Sequence, residues 1–318
     1  MEFERMAAKG RIRRKWKAHV ANKRSVRSTR DIFELGMNLL FLFCGLVAVA
    51  FVLFISVYLI VSGLPAIREI GLVDFLFGRV WDPTNTTTGA EYGILPFILT
   101  SIYGTAGAVV IGVPVGLMTA IFLAKVAPSG LTRIIKSAVE LLAGIPSVVY
   151  GLVGMIVLVP LIRETFSLSS GACLLAAIIV LAIMILPSII NVSETALRAV
   201  PQEYEEASLA LGATEIETYF RVSLPAASSG VATAVVLGVG RAIGEAMAII
   251  MVAGNVANMP GLFTSVRFLT TAIASEMSYA AYGSLQRNAL YSIGLVLFLF
   301  IMLINVLLNV FIKNKKEG

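Results

Sequence analysis

The sequence predicts an all-α integral membrane protein with six transmembrane helices, and three observations carry that prediction. Of 318 residues, 58% are hydrophobic and only 14% charged, with a mean hydropathy of +0.90, whereas soluble domains carry about a quarter charged residues. Apolar stretches fall at about 36–61, 96–124, 138–161, 172–192, 226–253 and 289–312, each matching the roughly 20 residues that a spanning helix needs. If the first span enters from the cytoplasm, nineteen Lys and Arg residues lie inside and five outside, with Arg241 left within the membrane. A missed span would scramble that bias, so it supports the helix number and a cytoplasmic location for both termini.

Residues 1–35 form a basic cytoplasmic tail, with eleven Lys or Arg and two acidic residues in the first thirty positions. Such a block can bind nucleic acid, but directly before a membrane span it more simply marks the cytoplasmic face and touches anionic lipid. The apolar run after it is longer than a signal-peptide core and lacks a small-residue cleavage site, so it is expected to remain as the first span. The six-helix domain covers 36–312, and 313–318 form a cytoplasmic C-terminal tail. In the outer segment 62–93, Trp81-Asp82-Pro83 and Tyr92-Gly93 suit a membrane-interface cap. Docking of an outer partner is the alternative there.

The third span holds Glu140 and, six residues on, Pro146-Ser147. Proline removes a backbone hydrogen bond and kinks or breaks a helix, and irregular backbone at membrane depth is tolerated where it lines a cavity or is covered by protein. Pro146 and Ser147 are therefore candidate pathway positions. Glu140 is either a pathway residue or a carboxylate favoured near a helix start on dipole grounds alone.

The cytoplasmic loop 193–225 has its own grammar. Pro201 precedes a helix whose first turn is supplied with Glu203, Glu205 and Glu206. Gly212 ends that helix, Thr214 with Glu217 makes a capping box for a second, and Pro225 closes the segment. Two capped helices exceed what a connection needs, and their acidity argues against a hairpin resting on an anionic leaflet.

The fifth span carries Arg241 and Glu245, spaced for an i,i+4 ion pair on a continuous helix. Insertion scales charge about 2.5–3.5 kcal/mol for one such group at a helix centre, so both charges must face protein or a wet cavity. A structural ion pair and a pathway role for Arg241, restrained by Glu245, both satisfy that cost. Gly240 and Gly244 have the small-xxx-small spacing that lets another helix approach closely.

Several chemistries are excluded. The one histidine, His19, lies in the basic tail without a second ligand, and Cys44 and Cys173 sit in apolar runs, so no metal, cofactor or disulfide framework is indicated. No Walker A pattern occurs, so this chain is not expected to hydrolyse ATP or to act as an enzyme by itself.

Glu206-Ala207-Ser208, three residues, Gly212, nine residues, then Val222-Ser223-Leu224-Pro225 resembles the EAA signature of ABC importer permeases, with Ser208 in place of the second alanine. The runs 140–151 (ELLAGIPSVVYG), 181–187 (LAIMILP) and 241–255 (RAIGEAMAIIMVAGN) further resemble phosphate-specific ABC permeases, of the PstC-type subunit more than its PstA-type companion. The likeness covers about 81–255, and Lys125 departs from it where an acidic residue is common. The resemblance implies a type I importer permease in a prokaryotic plasma membrane, paired with a PstA-type permease, fed by an extracytoplasmic phosphate-binding protein and driven by two cytoplasmic ATPase subunits. Residues 203–211 and 215–222 would be the coupling helices, with Glu203, Glu206, Ala207, Gly212, Leu224 and Pro225 as coupling positions. The rival readings are a permease for molybdate or sulfate and an ion-coupled secondary transporter. The latter predicts inverted repeats and has no use for the capped loop.

Overall fold

A computed structural model describes residues 2–85 and 89–314, with side chains over 33–85, 89–307 and at 310. The basic side chains of the N-terminal tail and residues 315–318 of the C-terminal tail lie outside the described residues. The chain divides into two units, Met1–Tyr58 and Leu59–Gly318.

The first unit is the larger part of helix α1, Glu2–Ile70. Its apolar side chains from Phe33 onward are exposed, Phe41, Leu42, Phe43, Phe51 and Phe54 among them, as a lipid-facing span requires. Ser56 hides its hydroxyl by donating to the Val52 carbonyl at 2.8 Å. The span expected over 36–61 thus lies inside one longer helix, apolar from Phe33 to Ile70.

The second unit continues through α2 (Leu72–Phe77), β1 (Trp81–Asp82), β2 (Glu91–Tyr92), α3 (Leu95–Ile121, prolonged by a π-turn Phe122–Val126) and α4 (Ser129–Gly144). Next come α5 (Ser147–Val153), a π-turn Gly154–Leu158, α6 (Val159–Thr165), α7 (Leu174–Arg198), α8 (Gln202–Ala210), α9 (Glu215–Thr218), a π-turn Tyr219–Ser223 and α10 (Leu224–Ala226). The chain ends with α11 (Ser228–Gly244), α12 (Met247–Val252), α13 (Leu269–Glu276) and α14 (Leu285–Asn314). Among the described residues, five stretches are long and apolar enough to cross a membrane: Phe33–Ile70, Leu95–Val126, Ser147–Thr165, Leu174–Arg198 and Leu285–Leu307. A sixth is reached when α11 is taken together with Glu215–Ala226, from which it is bent by 73°.

Two spans differ from the sequence expectation. The third was expected over 138–161 and begins only at Ser147, because Ile145 and Pro146 are extended (ψ 127° and 142°) and cut off α4 as a separate amphipathic helix. Proline disfavours the α region for the residue before it, so the break is complete rather than a kink. The fifth, expected as one helix over 226–253, is interrupted at Glu245 and Ala246.

Helix α7 is the core element, buried from Leu174 to Leu197 along its inner faces. It packs on α3 through glycines: a Cβ at Gly107 or Gly112 would lie 2.7 Å from Ile178 or Ile185, and one at Gly116 would lie 2.8 Å from Ile189. Missing side chains let the two backbones approach, the packing device that membrane helices favour. On the other side α11 closes on α7 at Gly238, against Ile189. A Cβ at Gly240 or Gly244, by contrast, would meet nothing of this chain within 4 Å.

The outer segment is closed by aromatic packing. Trp81 faces Tyr92 across the short antiparallel ladder and packs on Phe97, both at 5.6 Å between centroids. Burial and the Glu69 carboxylate raise the Tyr92 pKa above its ordinary value, which keeps the phenol neutral. Trp81 Nε1 donates to Glu276, which also ion-pairs with Arg267 and accepts from Gln286.

Candidate translocation site and coupling hairpin

The interruption in the fifth span is built by polar contacts. Glu245 leaves the helix with ψ 130°, and its carboxylate turns forward to accept the Ala248 N–H at 3.0 Å, capping α12. Its own carbonyl accepts the Thr270 hydroxyl at 2.7 Å, which ties the break to α13. The i,i+4 ion pair expected between Arg241 and Glu245 is therefore not formed. Its condition, a continuous helix from one residue to the other, fails at Glu245, which is extended. Arg241 is half-buried on the last turn of α11 and, among the described residues, makes neither an ion pair nor a hydrogen bond.

The second broken span lies beside this one. A Cβ at Gly151 of α5 would sit 2.9 Å from the Ala248 Cα, so α5 and α12 run in backbone contact. Tyr150, on the same turn as Gly151, is within electrostatic reach of Arg241, and its hydroxyl spans the Pro146 break to donate to the Leu142 carbonyl at 2.7 Å. Ser147 is half-buried at the first position of α5, one turn before Gly151, and Pro146 is exposed just ahead of it. The two interrupted spans thus run side by side, with Tyr150 of one within electrostatic reach of Arg241 of the other. Glu140 is exposed on α4.

The loop 193–225 folds as a hairpin of α8 and α9 near the expected positions. Gly212 takes φ +89° between them, a conformation that side chains with a Cβ resist. Thr214 and Glu217 form the capping box in both directions, at 3.3 and 3.1 Å. Ser208, which stands where the EAA signature has alanine, bonds Thr218 across the hairpin at 2.9 Å. Glu203, Glu206 and Ala207 are exposed, and Glu206 accepts from Gln202 at 2.8 Å. Leu224 packs into the cluster around Ala120, Leu197 and Ala227, while Pro225 is exposed in the first turn of α10. Leu211, 90% exposed, Ile216 and Tyr204 give this polar loop an uncovered apolar surface.

The model of the binding-protein-dependent transport system inner membrane component family matches residues 112–314, which include every one of these elements. The chain belongs to that family. It is 41% identical over 290 residues to the probable ABC transporter permease protein YqgH of Bacillus subtilis, covering 89% of this chain and 93% of that protein. It is also 37% identical over 266 residues to the phosphate transport system permease protein PstC of Pasteurella multocida, covering 77% and 81%. Among solved structures, the inward-facing MetNI methionine ABC transporter aligns at 21% identity and TM-score 0.56, over 70% of this chain and 95% of that one. A bacterial alginate ABC transporter in complex with a pentasaccharide-bound periplasmic protein aligns at 16% and 0.55, over 85% and 92%. The fold is that of type I ABC permeases, and this family member is a multi-pass membrane transport subunit that works with ABC partner subunits. The ion-gradient alternative falls with that assignment.

Sequence reasoning missed three parts of the permease. Glu194 of α7 is 1% exposed and is held by Arg198 at 2.8 Å and Lys136 of α4 at 3.3 Å, while Arg198 also donates to the Leu123 carbonyl. Its signal was a carboxylate four residues before an arginine at the end of a span. Glu205 and Lys125 ion-pair, so the residue that departs from the family pattern acquires a partner inside its own chain. Leu211 was visible only as an apolar residue beside the turn glycine.

Proposed function

We propose that this chain is the PstC-type permease subunit of an ATP-driven phosphate importer, forming half of the anion's path across a prokaryotic plasma membrane with both termini cytoplasmic. The observation that carries the reading is Arg241: a guanidinium at a helix break in an apolar chain, with the carboxylate nearest to it in sequence engaged elsewhere. A planar, permanently charged fork of N–H donors matches an oxyanion. An unpaired positive charge in the membrane is costly and marks a substrate or ion route by default. The relatives named as phosphate transport permeases support phosphate as the cargo.

In this mechanism phosphate arrives from an outer binding protein and is drawn to Arg241 between the two broken spans. Pro146 and Ser147 line the approach, and Glu140 faces the inner exit. Glu245 holds the break open by capping α12, and its negative charge limits how tightly the anion is held, since passage requires release. Gly240 and Gly244, with nothing of this chain over them, receive a helix of the PstA-type partner. The hairpin seats on one of two cytoplasmic ATPase subunits through Glu203, Glu206, Ala207 and the turn at Gly212, with Leu224 and Pro225 joining it to the membrane domain. ATP hydrolysis belongs to those subunits.

Reconstitution of the four-part complex in vesicles tests the reading. ATP-dependent uptake of labelled phosphate is expected, little reduced by a hundredfold excess of sulfate or molybdate. Uptake of either competitor in preference to phosphate overturns the substrate, and uptake without ATP overturns the class.

A further inference from the structure

We propose that the Lys125–Glu205 ion pair links the coupling hairpin to the membrane helices, with Glu205 a positioning residue that acts on its own chain rather than on the ATPase. The inference rests on the reading that the hairpin seats on an ATPase. Of the acidic residues of α8, Glu203 and Glu206 are exposed, whereas Glu205 is turned inward. Its side chain is 16% exposed and that of Lys125 12%, so water screens the pair far less than a surface bridge. Ser223 donates to the same carboxylate oxygen at 2.7 Å, clamping α8 to the π-turn at the hairpin's far end. With Ser208 on Thr218, the hairpin is braced internally and moves as a body.

Its covalent exit toward the membrane is the segment that meets α11 at 73°, a bend that absorbs displacement instead of passing it on. Lys125 offers a straighter route. It sits on the π-turn that continues α3, and α3 lies along α7 on the glycine face described above. A push on α8 reaches Lys125 through a short charged contact and then two close-packed helices.

The test uses the full complex in vesicles, with phosphate uptake and ATP hydrolysis measured on one preparation. Lys125→Glu and Glu205→Lys should each lower phosphate moved per ATP at least tenfold while the ATPase stays bound, and the charge-swapped double variant should recover to within threefold of wild type. A wild-type ratio in either assembled single variant overturns the proposal, as does a swap no better than the singles. If the charge reversals fail to accumulate, Glu205→Gln decides, because it keeps an acceptor for Ser223: a lowered ratio supports the link and an unchanged one overturns it. Leu211→Asp tests docking separately. ATPase retained on that variant removes the premise and overturns both readings, whereas ATPase lost there with a normal ratio in Lys125→Glu overturns the ion-pair link alone.

Discussion

Replacing Arg241 with glutamine separates a pathway charge from a structural one, because the two roles predict opposite effects on assembly. A charge at a helix centre costs about 2.5–3.5 kcal/mol on insertion scales, and Arg241 has no carboxylate partner that offsets it. Arg241→Gln should therefore leave folding and copurification with the partner subunits unchanged or improved. A hydrogen bond to a charged group contributes about 1.5–3 kcal/mol, which is a loss of about ten- to 150-fold in the efficiency of phosphate uptake. Arg241→Lys should keep part of the activity as a point charge without the planar fork. Adding Glu245→Gln should not rescue uptake, since glutamine still caps Ala248 and there is no pair to dissolve. The assay is initial uptake against phosphate concentration in vesicles, with assembly scored by copurification. Wild-type uptake by assembled Arg241→Gln would refute the reasoning, and restoration of both assembly and uptake by the double variant would return the arginine to a structural role.

Other positions give sharper local tests. Gly212→Val forces a β-branched residue into φ +89°, at a cost of about 1–3 kcal/mol, and should lower uptake and ATPase copurification together while the membrane domain keeps its thermal stability. Leu211→Asp changes a residue that is 90% exposed, so it should release the ATPase without moving the melting temperature of the isolated permease. Glu194→Ala removes a buried carboxylate and leaves Lys136 and Arg198, whose side chains are 46% and 48% exposed, to be screened by water; the loss is therefore discounted to about 1–2 kcal/mol, and a modest fall in thermal stability is expected, read by unfolding in detergent. Gly112→Val puts a Cβ 2.7 Å from Ile185, and overpacking of this kind costs about 1–3 kcal/mol, which should appear as reduced accumulation in the membrane.

What could be read from the sequence was local. The hairpin was legible nearly to the residue because its signals act over three or four positions: Thr214 with Glu217, the glycine at 212, and the acidic first turn of α8. The first, second, fourth and sixth spans were legible because length and apolarity suffice to define them, whereas the third and fifth were misread where their helices break. Contacts between distant segments were not. The glycines at 112 and 116 show small-xxx-small spacing in the sequence, yet nothing local says that Ile185 and Ile189 fill the space above them. Glu194 reads as a cytoplasmic-end charge until α4 brings Lys136 to it from 58 residues away.

The break at Glu245 differs in kind from the break at Pro146. Pro146 ends α4 by covalent geometry, and any fold would suffer it. Around Glu245 the sequence runs Arg-Ala-Ile-Gly-Glu-Ala-Met-Ala, in which every residue but the glycine is a good or acceptable helix former, so local propensity favours continuing. The chain stops because Thr270, 25 residues further on, takes the Glu245 carbonyl and the Glu245 side chain takes the Ala248 N–H. Tertiary contacts override a helical sequence here, at the one place in the span that also carries a guanidinium. Local rules broken against propensity, and held broken by polar contacts, are characteristic of functional positions. A helix restored through this point would return Glu245 to within one turn of Arg241 and allow the i,i+4 pair to form. The interruption therefore keeps the positive charge free of the carboxylate nearest to it in sequence, which is the condition under which Arg241 can attract an anion.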